Sequence, residues 1–163
     1  MNVVLCLMLL APTLPGAAFE IIETKNATDD VVVAVRGDAS GLQSQLDRLA
    51  RSGGGTLFLP AGHYPLTTPL AIPQGCCLRG DMTDTVLEVR HREGPAIGMS
   101  SASALRGVAL WWPDQRAENI IEYPAGIVAD QGDTTFQIED VTLVNAYDGV
   151  RFGPGTNSLC LVR

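Results

Sequence analysis

Two carboxylates in one short turn, Asp130-Gln131-Gly132-Asp133, are the arrangement in this sequence closest to a metal site. Calcium takes roughly six to eight oxygen ligands, so the turn would supply only part of a shell, and a solvated turn is the simpler reading. Asp148 and Arg151 form a second pair of interest. An arginine fork grips a carboxylate with two parallel hydrogen bonds, whereas the plainer role is a salt bridge between neighbouring repeats. Trp111 is the third candidate. An outward indole offers a flat apolar surface on which a sugar ring stacks, unless the following segment PDQRAENIIEY folds over it as an edge cover. Trp111, Asp148 and Arg151 are therefore the candidate ligand-binding residues, with Asp130 and Asp133 the candidate calcium ligands.

Other reactive types carry less. His63 lies inside a Pro-Ala-Gly-His-Tyr turn and His91 between Arg90 and Arg92, and both read as surface residues. Neither has a serine or cysteine nucleophile nearby, so no triad is indicated. Gly53-Gly54-Gly55 follow a helical pattern rather than precede one, which removes a phosphate loop. Cys76 and Cys77 are adjacent, so on a strand they point to opposite faces and cannot share a core position. With Cys160 they read as small hydrophobes rather than as zinc ligands or a disulfide pair. Asn26-Ala27-Thr28 is a glycosylation sequon, meaningful in a eukaryotic secretory pathway.

The chain has 163 residues, 46% hydrophobic and 18% charged, with a net charge of −7 and Lys25 as its sole lysine. This suits one domain, is too apolar for disorder, and lacks the basic surface that nucleic acid requires. Residues 1–18 carry no charge and contain the apolar run VVLCLMLLA, too short to span a bilayer. Gly16 and Ala18 are small residues ahead of Phe19, as at a signal-peptide cut. The expectation is an exported protein, extracellular or periplasmic in a Gram-negative host, of residues 19–163.

One convincing helix is expected, from Ser40 to Arg51. Leu42, Leu46 and Leu49 recur at helical intervals, and Ser40 and Gln43 have the spacing of a capping box. Beyond the glycines the pattern changes to short apolar runs broken by Pro, Gly and Asp. Leu78-Arg79-Gly80 recurs 27 positions on as Leu105-Arg106-Gly107, and LRGVALWWP is echoed 33 positions later by IEDVTLVNA. Gly126-Ile127-Val128 returns after 23 positions as Gly149-Val150-Arg151. This aligns Leu105 with Ile138, Val108 with Val141, and Leu110 with Leu143. Periods of this size with several strands each indicate a β-solenoid, and the helix is placed to cover its first coil.

The string from Asp38 to Asp81, DASGLQSQLDRLARSGGGTLFLPAGHYPLTTPLAIPQGCCLRGD, resembles the N-terminal module of the pectate lyase superfamily. It is most similar to the rhamnogalacturonase-like and epimerase-like branch. The likeness lies in the helix running into Gly53 to Gly55, the first strand ending in Pro-Ala-Gly-x-Tyr, and the coil from Pro69 to Asp81. It implies an all-β fold, a right-handed parallel β-helix capped at its N-terminus by one α-helix. It further implies a secreted polysaccharide hydrolase or lyase acting on pectin-like acidic glycans. Family hydrolases use close aspartate pairs, and lyases an arginine or lysine base with calcium. No Asn-Thr-Asp string, repeat-region Asp-Asp pair or His-Gly pair occurs here, so no catalytic residue is carried over. The chain is therefore expected to be the N-terminal scaffold of a longer, truncated parent, without turnover of its own, or a non-catalytic glycan-binding or structural surface module, or an inactive fragment. Its partner would be a polysaccharide, with no nucleic acid and no membrane span, and its last coil, lacking a cap, would offer a surface for oligomerisation.

Overall fold

Parallel pairing dominates the computed structural model, which describes residues 20–25, 31–36, 41–129, 135–153 and 159–162. The N-terminal hairpin joins β1 (Glu20–Lys25) to β2 (Val31–Arg36) and is the one antiparallel pair of named strands among the described residues. Helix α1 (Leu42–Arg51) follows. Next come β3 (Gly55–Phe58), β4 (Gly62–Leu66), β5 (Leu70–Ile72), β6 (Cys76–Arg79) and β7 (Thr85–Val89). The remaining strands are β8 (Ile97–Met99), β9 (Ser103–Trp111), β10 (Ile127–Ala129), β11 (Thr135–Val144), β12 (Val150–Phe152) and β13 (Leu159–Val162). The chain is thus mostly strand with a single named α-helix among the described residues.

Two sheets result. The larger runs β1-β2-β3-β6-β9-β11-β13, with β4 joined to β7 and β7 joined to β9; the smaller runs β12-β10-β8-β5. Strand β9 is long enough to serve two neighbours. Its first half pairs with β6, placing Leu105 opposite Leu78, and its second half pairs with β7, placing Leu110 opposite Leu87. Between the halves the backbone turns at Gly107, whose φ of 58° lies in the left-handed region open to glycine. On β11 the equivalent position is Asp140, flanked by the pairs Glu139–Arg106 and Val141–Val108, and it holds φ 53°. Aspartate is among the few side chains that tolerate this conformation.

The repeats read from the sequence are strand partners. Leu105 faces Ile138, Val108 faces Val141, Leu110 faces Leu143, and Ile127 faces Val150. Alternation then sends every second side chain inward. Leu57, Leu78, Leu105, Leu87, Leu110, Ile97 and Ile127 are completely buried, and together with Ile138 they form one continuous core. At Val141, Leu143 and Val150 burial is only partial.

Helix α1 buries Leu42, Leu46 and Leu49, the three positions picked out by periodicity, against β3, β5 and β6. It ends as expected: Gly54 N–H donates to the Leu49 carbonyl at 2.9 Å, with Gly53 and Gly54 at φ 99° and 107°. Its start differs from the expectation. The N-cap is Gly41 with no side-chain cap, and Ser40 lies outside the described residues. Gln43 does not turn back toward the helix start. Its Nε2 donates to Asp47 and to the Ala71 carbonyl, while its Oε1 accepts from the Ala71 N–H. The reason is competition: β5 is an edge strand whose peptide groups face the helix, and Gln43 satisfies them. The edge of β3 is covered by β2 instead.

The glycosylation sequon at Asn26, the segment 1–18, and the carboxylates Asp130 and Asp133 lie outside the described residues. No described helix is long and apolar enough to cross a membrane, which leaves β-barrels unaddressed.

Candidate functional site

The outward face built by β4, β7, β9 and β11 gathers the densest set of recognition side chains. Register fixes the columns. His63, Val86 and Ala109 are successive partners, and Pro65, Glu88 and Trp111 are the next outward set, with Val144 beyond Trp111. Inward neighbours Tyr64, Leu66, Leu87 and Leu110 anchor each strand in the core, so the outward groups stand on a rigid base.

Glu88 is the hub of this face. One carboxylate oxygen, Oε1, lies 2.7 Å from His63 Nδ1, and the other, Oε2, accepts from Arg90 at 2.6 Å. These two cationic or donor partners, Arg90 first and His63 second, hold the Glu88 carboxyl below the ordinary carboxylate range. An ionised carboxylate only accepts hydrogen bonds, so His63 Nδ1 carries the proton and Nε2 remains for a ligand. The imidazole meets the Trp111 indole edge-on, with centroids 6.3 Å apart and planes at 88°. The Glu88 side chain is only 13% exposed, whereas His63 is 61% exposed. A half-buried carboxylate therefore orients an accessible ring beside a half-buried indole. The arrangement presents a flat aromatic surface, an imidazole and a guanidinium together.

Of the sequence-derived candidates, Trp111 belongs to this cluster and faces outward opposite Val144, as its alignment indicated. Trp112 does not. It is buried, packs edge-on against Tyr123 with centroids 6.4 Å apart, and takes its cover from the 113–123 segment. That segment is tied back by Gln115, whose side chain exchanges two hydrogen bonds with the Ile121 backbone. Arg151 lies on the other sheet and Asp148 in the bend that leads into it; they pair with each other at 2.9 Å, three residues apart, rather than bridging between repeats. The structure thus brings Trp111 together with neither of them. Arg151 does point outward, opposite Val128.

His91 corrects the surface expectation. It is 8% exposed, and neither ring nitrogen has a hydrogen-bond partner. Burial pushes its pKa down, with Glu93 opposing. Cys76 is buried and Cys77 half-buried, and both are free thiols, in keeping with their opposite faces. Among the described residues no three His, Cys, Asp or Glu side chains converge as a metal site. Sequence reasoning missed His63, Glu88 and Arg90 as a group. The signal existed: Tyr64, Leu87 and Leu110 are strand partners, so the 23-residue spacing seen at Gly126 and Gly149 also links these three strands.

No protein-family model, no curated protein and no solved structure matches the chain.

Proposed function

We propose that this chain is the glycan-binding scaffold of a secreted right-handed parallel β-helix protein, of the kind found in the pectate lyase superfamily, with polysaccharide as its ligand. The parallel registers and the residues from Asp38 to Asp81 support the β-helix reading, with α1 as its cap. Export belongs to the same proposal and rests on the apolar segment within residues 1–18. The observation that carries the binding role is the position of Trp111, outward on a parallel ladder and flanked by the His63–Glu88–Arg90 chain. Stacking on the indole supplies affinity for a sugar ring, and the polar chain supplies directional hydrogen bonds beside it.

Binding is favoured over hydrolysis at this face for a physical reason. A glycosidase needs one carboxyl held protonated to donate to the leaving oxygen. Glu88 is pushed the other way by Arg90 and His63 and stays ionised near neutral pH. Isothermal titration with oligomers of polygalacturonate, rhamnogalacturonan and alginate tests the reading. At least one should bind the wild-type chain, and Trp111→Ala should weaken it tenfold or more, while Arg151→Ala, on the other sheet, should not. Equal affinity of wild type and Trp111→Ala, or no binding to any of the three, overturns it.

A further inference from the structure

A second outward face, formed by β3, β6 and the first halves of β9 and β11, carries a different chemistry. Its register sets Phe58, Arg79, Arg106 and Glu139 in one column. Strand neighbours are about 4.8 Å apart, so the guanidinium stems of Arg79 and Arg106 rise side by side. Like charges placed directly opposite each other destabilise a sheet, which makes the pair costly unless anions offset it. Glu139 offsets one charge only. Its carboxylate lies 3.1 Å from the Arg106 Nε as an ion pair, without a hydrogen bond there, while Gln137 accepts from the Arg106 guanidinium. Arg79 is exposed and has no ion pair or side-chain hydrogen bond among the described residues. One uncompensated positive charge therefore stands next to an arginine held by one hydrogen bond and one ion pair, in a chain whose net charge is −7. Burial raises the pKa of the half-buried Cys77 thiol nearby, and both guanidinium charges oppose that rise without reversing it.

We propose that Arg79 and Arg106 form an oxyanion-binding seat, taking a carboxylate, sulfate or phosphate group of a ligand between the free fork of Arg79 and the oriented guanidinium of Arg106. Arginine suits this task because its donors form a planar fork that matches an oxyanion edge. The proposal does not depend on sugar stacking at Trp111, which lies beyond the Gly107 bend on the other half of β9.

The test follows the guanidinium Nε–Hε resonances of Arg79 and Arg106 by nuclear magnetic resonance. Sodium sulfate, sodium phosphate and sodium oligogalacturonate are titrated separately against sodium chloride at matched ionic strength. The expected result is a saturable shift of both resonances with at least one oxyanion. Binding followed at Arg106 should weaken tenfold or more in Arg79→Ala, with Arg79→Lys intermediate because it keeps charge but loses the fork. Saturation by sulfate or phosphate assigns a tetrahedral group, and saturation by oligogalacturonate alone assigns a carboxylate. Arg79 is exposed, so its replacement leaves the core intact. Shifts that merely follow chloride, or saturable binding unchanged in Arg79→Ala, overturn the proposal.

Discussion

Gln43 does for Ala71 what a neighbouring strand would do. Its side-chain amide donates to the Ala71 carbonyl at 3.1 Å and accepts from the Ala71 N–H at 2.8 Å, closing the edge of the smaller sheet from the helix. Unpaired edges invite pairing with other chains, and covering them with a helix is one of the ways proteins suppress that.

Gln43→Ala should therefore destabilise the chain by about 1 kcal/mol, since water partly replaces both bonds at this exposed peptide. The urea midpoint should fall with an unchanged slope, and self-association should rise. A midpoint identical to wild type would mean the bonds contribute nothing net.

Leu110→Ala should cost about 2–5 kcal/mol, the range for emptying a sealed aliphatic site. Leu110 is completely buried between Leu87 and Leu143. Leu143→Ala should cost less than half as much, because its site is only partly buried and the space left is accessible to water. Denaturant unfolding of the two variants side by side checks the ordering.

Gly126→Ala should destabilise by about 1–3 kcal/mol through overpacking. A Cβ there would lie 2.8 Å from the Trp112 ring and 3.2 Å from the Gly149 carbonyl oxygen. Trp112 must shift, so its near-ultraviolet circular dichroism should change along with the unfolding midpoint.

His91 gives a pH dependence with a defined sign. Burial lowers its pKa in the folded chain, so the unfolded chain, titrating near about 6.5, takes up the proton first. Its contribution is fully present above that value and is lost as pH falls through it, levelling off below the folded pKa. His91→Gln should flatten the fall in stability between about pH 7 and pH 5. Glu88 does not interfere, because its depressed pKa places its own loss of stabilisation lower, below the ordinary carboxylate range of about 4.3. An unchanged slope in His91→Gln would refute the assignment.

The strand partners were readable from the sequence because neighbouring parallel strands that share one core demand like residues at like positions. Leu105 over Ile138 and Leu110 over Leu143 are visible as repeated letters before any geometry is known. The helix face was readable for the same reason, since Leu42, Leu46 and Leu49 all meet the core. The outward cluster was not. Outward positions are free to vary between rungs, so His63, Val86 and Ala109 occupy one column with no shared letter. The role of Gln43 was hidden too, because its sequence spacing fitted a local cap while the edge it serves lies 28 residues away. His91 sits in a connection outside the repeat, where nothing in the local sequence announces burial.

The excursion between Trp112 and Gly126 has a consequence for how such a chain can change over time. Pairing holds on both sides of it, Leu110 with Leu143 before and Ile97 with Ile127 after. The parallel pairings are therefore indifferent to the length of the detour, provided Tyr123 still returns to cover Trp112. Insertions in this connection are therefore tolerated by the ladders on either side of it, so its length is free to drift without disturbing the strand alignment.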